Sequence, residues 1–271
     1  MNGIIIATFF VLLTGLLAGV LLSAASKIFY VKEDQLFLDL REKLPGANCG
    51  GCGYAGCDDY AHAIAEDKTV PCNKCSVGGP AVAKELAGIL GTEAEEAERR
   101  VSVVACDGRK ENVGKLYEYE GIQSCKAAKT LYGGSFTCPY GCMGLGDCVS
   151  VCEFDAIHVE NGVAVVDRDK CTACGKCVSV CPNHLISLTS GKSLVNVLCS
   201  NKDFGKDASS VCKVSCIGCG ICEKTCKFDA IHVVDNVAVI DYDKCVSCGA
   251  CAIKCPRHCI INRRVKATAS L

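Results

Sequence analysis

The chain has 271 residues and a formal net charge of −1, with 29 Lys and Arg against 30 Asp and Glu; 26 residues are cysteine, and there are eight Phe, eight Tyr and no Trp. A chain of this length has room for more than one domain, but so few aromatic residues argue against one large apolar core. The cysteine content excludes an ordinary cytosolic globular protein and leaves two classes, a disulfide scaffold outside the cell or a metal-loaded protein inside it.

Residues 3–25, GIIIATFFVLLTGLLAGVLLSAA, carry no charge and are long enough to cross a bilayer as a helix. The first cationic side chains, Lys27 and Lys32, come after the run, which predicts that the rest of the chain stays in the cytoplasm. The alternative is a cleaved signal peptide ending near Ser23-Ala24-Ala25-Ser26. Against it stand the missing basic leader and an apolar run longer than usual. Residues 1–26 are therefore read as a retained, single-pass anchor.

A second segment, residues 27–92, begins with a short helix in which Leu36, Leu40 and Leu44 share one face. Pro45-Gly46 stops it, just before Cys49-x2-Cys52-x4-Cys57. Asp58–Ala65 reads as a short amphipathic helix, followed by Cys72, Cys75 and Gly78-Gly79-Pro80. Helices are predicted over Ala81–Leu90 and over Thr92–Arg100, the latter too charged to be buried. Val101–Cys106 reads as a strand. It lies in a connecting segment, 93–137, of which residues 107–137 suggest no regular element.

From residue 138 the chain repeats itself. Phe154-Asp155-Ala156-Ile157-His158-Val159 returns 74 residues later as Phe228-Asp229-Ala230-Ile231-His232-Val233. The same offset carries Cys142, Cys148, Cys152, Cys171 and Cys181 onto Cys216, Cys222, Cys226, Cys245 and Cys255, a periodicity that decides the architecture. Each copy holds an alternating apolar stretch, turning at Asn161-Gly162 in the first, a strong hairpin signal, and at Asp235-Asn236 in the second. The copies are taken as residues 138–190 and 191–271. Each contains Cys-x2-Cys-x2-Cys-x3-Cys-Pro, at Cys171, Cys174, Cys177 and Cys181 and at Cys245, Cys248, Cys251 and Cys255.

That spacing suits a cubane iron–sulfur cluster, three thiolates coming from one tight loop and the fourth from elsewhere. Disulfide frameworks do not call for it, and structural zinc prefers two Cys-x2-Cys pairs held well apart. Each cluster adds roughly two negative charges because its ligands deprotonate, which makes the loaded protein acidic and argues against nucleic acid as a partner.

The repeat units resemble bacterial two-cluster ferredoxins, and Cys49–Cys57 with Cys75-Ser76-Val77-Gly78-Gly79 resembles a separate four-cysteine iron–sulfur domain. A membrane helix, that domain and then ferredoxin modules resembles the RnfB family, the B subunits of the Rnf electron-transport complex. The resemblance implies a small α+β protein with one N-terminal transmembrane helix, a small helical four-cysteine domain and two ferredoxin-like modules. It also implies a role as a cytoplasmic point of electron intake from soluble ferredoxin, in a bacterial or archaeal inner-membrane complex that couples ferredoxin:NAD electron flow to Na+ or H+ translocation. Other subunits and membrane lipid are the expected partners. The chain itself is expected to be a non-catalytic relay without a flavin or NAD site; no Gly-rich fingerprint opens a βαβ unit. The single helix carries no intramembrane acid or base that would form an ion path by itself.

In two-cluster ferredoxins the fourth cysteine of each motif serves the neighbouring cluster. The resemblance then implies five 4Fe-4S clusters. In the second copy the sets are Cys216, Cys219, Cys222 and Cys255, and Cys245, Cys248, Cys251 and Cys226. In the first copy Leu145 stands where the repeat has Cys219. Cys138 is taken to supply the missing thiolate, giving Cys138, Cys142, Cys148 and Cys181 beside Cys171, Cys174, Cys177 and Cys152; a three-iron or empty site is the alternative. The first domain takes Cys49, Cys52, Cys57 and Cys75, with Cys72 as the alternative to Cys75. Glu153 and Lys227 come after Cys152 and Cys226 where the motif has Pro, a departure expected to loosen those turns.

Six cysteines remain: Cys72, Cys106, Cys125, Cys199, Cys212 and Cys259. They are read as packed free thiols; the parallel of Cys106 and Cys125 before one module with Cys199 and Cys212 before the other is the alternative, as two further metal sites or two cysteine pairs. His158 and His232 are read as packing or surface residues, and His62, His184 and His258 carry no stronger signal. Arg263-Arg264-Val265-Lys266 is read as a solvated tail, with contact to anionic lipid as the alternative. The first domain is expected nearest the bilayer. The competing functions are an iron–sulfur subunit of another membrane redox complex, a hydrogenase or dehydrogenase, and a redox or iron sensor.

Overall fold

A computed structural model describes residues 2–28, 34–93, 98–131 and 133–264 of the chain. These fall into two units, residues 1–39 and residues 40–271.

In the first unit, helix α1 (Asn2–Ile28) has no acidic residue in its first turn and Lys27 in its last. Among the described residues one helix, Phe9–Ile28 within α1, is long and apolar enough to cross a membrane, with a mean hydropathy of 2.2. Its large apolar side chains, Phe9 to Leu22, are exposed, the arrangement that an apolar solvent rewards and water penalises.

The second unit starts within α2 (Gln35–Lys43). Leu40 and Leu44 are buried on one face, and Pro45 ends the helix. Helices α3 (Cys57–Glu66) and α4 (Gly79–Leu90) complete the four-cysteine domain. Tyr60, Ile64 and Leu86 are buried, and the Tyr60 hydroxyl donates to the Pro71 carbonyl at 2.7 Å. Gly91, left-handed at φ 68°, caps α4, as glycine does at helix ends. Four residues of the helix predicted over Thr92–Arg100, 94–97, lie outside the described residues, as do Lys32 and, in the basic tail, Val265 and Lys266. Arg100 begins a strand, β1 (Arg100–Val104).

The remainder alternates short elements: α5 (Cys125–Thr130), α6 (Asp147–Ser150), β2 (Ile157–Glu160), β3 (Val163–Val166), α7 (Lys176–Val180), β4 (Ile186–Ser190), β5 (Val195–Val197), α8 (Gly205–Val211), α9 (Ile221–Thr225), β6 (Ile231–Val234), β7 (Val237–Ile240), α10 (Ala250–Lys254) and β8 (Ile260–Asn262). The strands pair as antiparallel ribbons, β1 with β4, β2 with β3, β5 with β8 and β6 with β7. The β2–β3 hairpin turns on Asn161 and Gly162, at φ 49° and 85°, and β6–β7 turns on Asp235 and Asn236, at φ 48° and 63°. Positive φ at both central residues is what a two-residue hairpin turn requires.

The two copies share one plan. An outer ribbon, β1–β4 or β5–β8, and an inner hairpin, β2–β3 or β6–β7, enclose the cysteine loops. The first copy draws the outer strand β1 from the segment before residue 138. Equivalent hydrogen bonds fix the correspondence: Ala105 N–H donates to Leu185 O at 2.8 Å, and Leu198 N–H donates to Cys259 O at 2.7 Å. Leu185 and Cys259 are 74 residues apart, so Ala105 corresponds to Leu198 and Cys106 to Cys199. The cores are small. Ile157, Ala164 and Ile186 pack with the thiols of the first copy, and Ile231, Ala238 and Ile260 with those of the second. Cavities stand where a larger domain has apolar volume.

Candidate metal centres

Every cysteine loop in the repeat is wound the same way. In Cys171–Cys177 the residues at positive φ are Ala173 (56°) and Gly175 (81°); in Cys245–Cys251 they are Ser247 (55°) and Gly249 (82°); in Cys216–Cys222 they are Gly218 (62°) and Gly220 (70°). Left-handed residues turn successive backbone N–H groups inward and form a concave, anion-holding nest. The Cys142–Cys148 loop keeps the same shape, with Gly144 at 68° and Gly146 at 84°, although Leu145 occupies the middle position.

The turns after the fourth cysteines are also alike. Asp155, His184, Asp229 and His258 all sit at φ between 49° and 54°. The next residue gives its N–H to the cysteine: Ala156 to Cys152, Leu185 to Cys181 and Ala230 to Cys226, each at 3.4 Å. The turns without Pro therefore have the same shape as those with it, and the expected loosening is absent. His184 and His258 are turn residues. His232 lies 3.2 Å from Glu223 and is exposed.

Around these loops the thiols line cavities of similar size. One of about 330 Å3 is lined by Cys152, Cys171, Cys174 and Cys177; one of about 350 Å3 by Cys226, Cys245, Cys248 and Cys251; one of about 310 Å3 by Cys216, Cys219, Cys222, Cys255 and Cys259. The fourth cysteine of each motif faces the neighbouring loop in the crossed manner of two-cluster ferredoxins. Ser102, buried on β1, donates its N–H to the Cys171 sulfur at 3.4 Å, and its hydroxyl lies 3.4 Å from Cys177.

The cavity at the altered loop, about 370 Å3, is lined by Cys125, Cys142, Cys148 and Cys181. Cys138 is not among them: it lines a separate cavity, and Cys125 takes the place expected for it. Spacing favours Cys138, four residues before Cys142, but α5 brings in Cys125 from farther upstream. The Asp147 carboxylate holds the start of α5. It accepts from Cys125 N–H at 2.9 Å, Lys126 N–H at 3.0 Å and the Ser124 hydroxyl at 3.0 Å. Burial raises the Asp147 pKa, but those three donors outweigh it and hold the carboxyl below its ordinary value.

The separate cavity, about 410 Å3, is lined by the thiols Cys106, Cys138, Cys199 and Cys212 and also by Cys142, which it shares with the cavity of the altered loop. Sequence spacing alone leaves Cys106, Cys199 and Cys212 unplaced. A signal is there: Val104-Ala105-Cys106 and Val197-Leu198-Cys199 both put a cysteine two residues past an apolar strand, and Cys138-x3-Cys142 matches Cys212-x3-Cys216.

In the first domain the Cys75 thiol interacts electrostatically with Cys57, Cys52 and Cys49 and accepts the Gly78 N–H at 3.3 Å. Cys72 lies 4.0 Å from the Thr92 hydroxyl. Asn48 positions Cys57 by accepting its N–H at 2.8 Å. Gly51 lets this loop approach the Cys171–Cys177 loop closely, since a Cβ there would stand 3.1 Å from the Cys174 carbonyl.

Burial pushes the Cys148 thiol up to about 12, with the neighbouring thiols Cys142 and Cys125 adding to the rise. Burial likewise raises Cys222 and Cys251 to about 11. Four buried thiolates in one cavity are tolerable only with cationic metal among them. Among the described residues no three Cys, His, Asp or Glu groups converge on a point as ligands of one ion. Thiols spread around a cavity, on a backbone nest, fit a cluster with volume of its own. The Thr172 hydroxyl, buried in such a loop, has no hydrogen-bond partner among the described residues.

Family models agree with this chemistry. An Fe-S cluster family matches residues 44–77, a 4Fe-4S binding domain residues 164–187 and a 4Fe-4S dicluster domain residues 215–260. The B subunit of the ion-translocating oxidoreductase complex of Methanosarcina acetivorans is 47% identical over 247 residues, covering 91% of this chain and 93% of the relative. The B subunit of the Na+-translocating ferredoxin:NAD+ oxidoreductase complex of Acetobacterium woodii is 44% identical, covering 96% of this chain and 78% of the relative. Its counterpart in the proton-translocating ferredoxin:NAD+ oxidoreductase complex of Clostridium ljungdahlii is 41% identical, covering 96% and 93%. Identity of this extent, joined to an apolar N-terminal helix and cysteine-lined cavities, places the chain in the family of B subunits of ion-translocating oxidoreductase complexes, with 4Fe-4S clusters as its cofactors.

Proposed function

We propose that this chain takes electrons from reduced ferredoxin on the cytoplasmic side of the membrane. It passes them, without bond chemistry of its own, to other subunits of a complex that reduces NAD and translocates Na+ or H+. The single observation that carries this reading is the run of thiol-lined cavities through one folded unit, starting beside the four-cysteine domain. Names of relatives supply the donor, the acceptor and the two candidate ions.

The ligand sets we assign are Cys49, Cys52, Cys57 and Cys75; Cys152, Cys171, Cys174 and Cys177; Cys125, Cys142, Cys148 and Cys181; Cys216, Cys219, Cys222 and Cys255; and Cys226, Cys245, Cys248 and Cys251. Bound clusters supply one-electron storage with little change in geometry, at potentials set by hydrogen bonds to sulfur, exposure and net charge. The residues of the chain hold the thiols at fixed places, aim backbone N–H groups at them, and keep water from them with Ile157, Ile186, Ile231 and Ile260. The α1 helix tethers the unit to the bilayer, and Lys27 at its end favours the cytoplasmic side for the iron–sulfur domains.

The test is a low-temperature EPR reductive titration of the anaerobically purified chain, joined to NAD reduction by ferredoxin in vesicles carrying the whole complex. The expected result is several low-potential signals and ion uptake that stops when this subunit is omitted. A chain with no reducible centre at ferredoxin-like potential would end the reading.

A further inference from the structure

The cavity lined by Cys106, Cys138, Cys199 and Cys212 belongs to none of the five assigned sets. It resembles them in size, in donors and in surroundings. Three of its four sulfurs are met by hydrogen-bond donors. Cys106 accepts N–H groups from Gly108 and Cys142, both at 3.3 Å, and Cys199 accepts that of Cys216 at 3.2 Å. Cys138 faces the Nδ2 of Asn201 at 3.7 Å, a side chain only 1% exposed whose Oδ1 is tied to Asp203 N–H at 2.7 Å. Donors gathered on Cys106, Cys138 and Cys199 favour the thiolate form that a cluster needs, against the burial that opposes it.

The four thiols come in equivalent pairs. Cys106 and Cys199 occupy the same place in the two copies, by the strand correspondence above, and Cys138 and Cys212 lie 74 residues apart. The copies are stitched together there. Asp107 N–H donates to Leu198 O at 3.1 Å, and the Ser200 hydroxyl donates to Ala105 O at 3.0 Å. On one side the site touches Cys142 of the first copy through its N–H, and on the other it touches Cys216 of the second in the same way.

We propose that Cys106, Cys138, Cys199 and Cys212 hold a further 4Fe-4S cluster at the junction of the two copies, a proposal that rests on the relay reading. It fills the gap between the Cys125–Cys142–Cys148–Cys181 site and the Cys216–Cys219–Cys222–Cys255 site. The six sites then form an unbroken row from the first domain to the end of the second copy.

The experiment counts iron and acid-labile sulfide, by chemical analysis and native mass spectrometry, in the full chain purified without oxygen. The wild type is expected to carry six clusters. Cys106→Ser and Cys212→Ser are each expected to lose one, wholly or as conversion to a three-iron form with its own EPR signal, while Cys72→Ser keeps all six. Five clusters in the wild type, zinc in the sixth place, or a disulfide between any two of the four cysteines would overturn the proposal and leave the relay reading standing. No iron at all would overturn both. If a variant fails to fold, the wild-type count decides.

Discussion

In the first copy the loop from Cys142 to Cys148 carries Leu145; in the second copy the loop from Cys216 to Cys222 carries Cys219 at the same place. The backbones are wound alike, with two left-handed glycines in each, so the nest does not depend on the middle thiol. What differs is where the middle sulfur comes from, since the crossed fourth one is Cys181 in the first copy and Cys255 in the second. The second copy supplies it from within the loop. The first supplies Cys125 from a separate helix, α5, whose start is fastened by the Asp147 carboxylate. The place of Asp147 in the second copy is held by Ile221, which has no such task. The loop backbone therefore defines the cavity, and a thiol from another segment can complete the donor set once a carboxylate fixes its approach.

The largest effect is expected in the cluster count of Cys125→Ser, Cys138→Ser and the double variant. If the two cysteines serve different sites, the single changes each cost one cluster and the double costs two. If Cys138 belongs with Cys142 and Cys148 after all, Cys125→Ser loses nothing. Next in size is a rescue. Leu145→Cys in the Cys125→Ser background is expected to restore the lost cluster, because the loop already has the shape that Cys219 uses; iron content and the returning EPR signal report it.

Acidification separates the two sites through their thiols. In the first copy Cys148 is held up to about 12 by burial, and burial raises Cys142 too. These thiols carry protons at all pH values below their raised pKa, and metal must displace them. In the second copy a hydrogen bond with Cys259, 3.6 Å away, pulls Cys255 down to about 5, so near neutrality that thiol has no proton to give up. Affinity at the first site is therefore expected to fall by about tenfold per pH unit for each extra proton displaced. Its EPR signal should disappear at a higher pH than that of the second site as pH is lowered in the presence of a chelator.

Asp147→Ala removes three hydrogen bonds at the start of α5 and is expected to cost about 1–2 kcal/mol, as loss of a helix cap does. The readout is faster chelator bleaching at the first copy, with Asp147→Asn intermediate. The smallest effect is electronic. Cys259 lies 3.6 Å from Cys255, and its equivalent in the first copy is Leu185, so ligation is not what that place requires. Cys259→Ala is expected to keep the cluster count and lower one midpoint potential by roughly 40 mV, the equivalent of one hydrogen bond of about 1 kcal/mol to the thiolate.

Much of this is legible in the residues. The Cys-x2-Cys-x2-Cys-x3-Cys-Pro runs, the 74-residue offset and the Asn161-Gly162 turn point to paired cysteine loops on short hairpins, because local spacing and turn chemistry suffice for those. Cys125 is not legible, since its place depends on a helix and on a carboxylate that lies 22 residues away in sequence. The junction cavity is harder still. Its four thiols come from separate segments, and spacing carries no information about which strands lie side by side. Residues 107–137 give no pattern because, among the described residues, they hold one helix of six residues, α5, and isolated bridges such as Val113 to Cys212.

The equivalence of Cys106 with Cys199, and of Cys138 with Cys212, has a consequence for how such a chain is built. One copy by itself presents half a cage, two sulfurs on an open face. Two identical copies related by a twofold axis would present the whole of it, since an isologous contact shows each partner the same patch. A lone module with cysteines at both places would complete the proposed site only by meeting a second copy about a twofold axis, and joining two modules end to end removes that need.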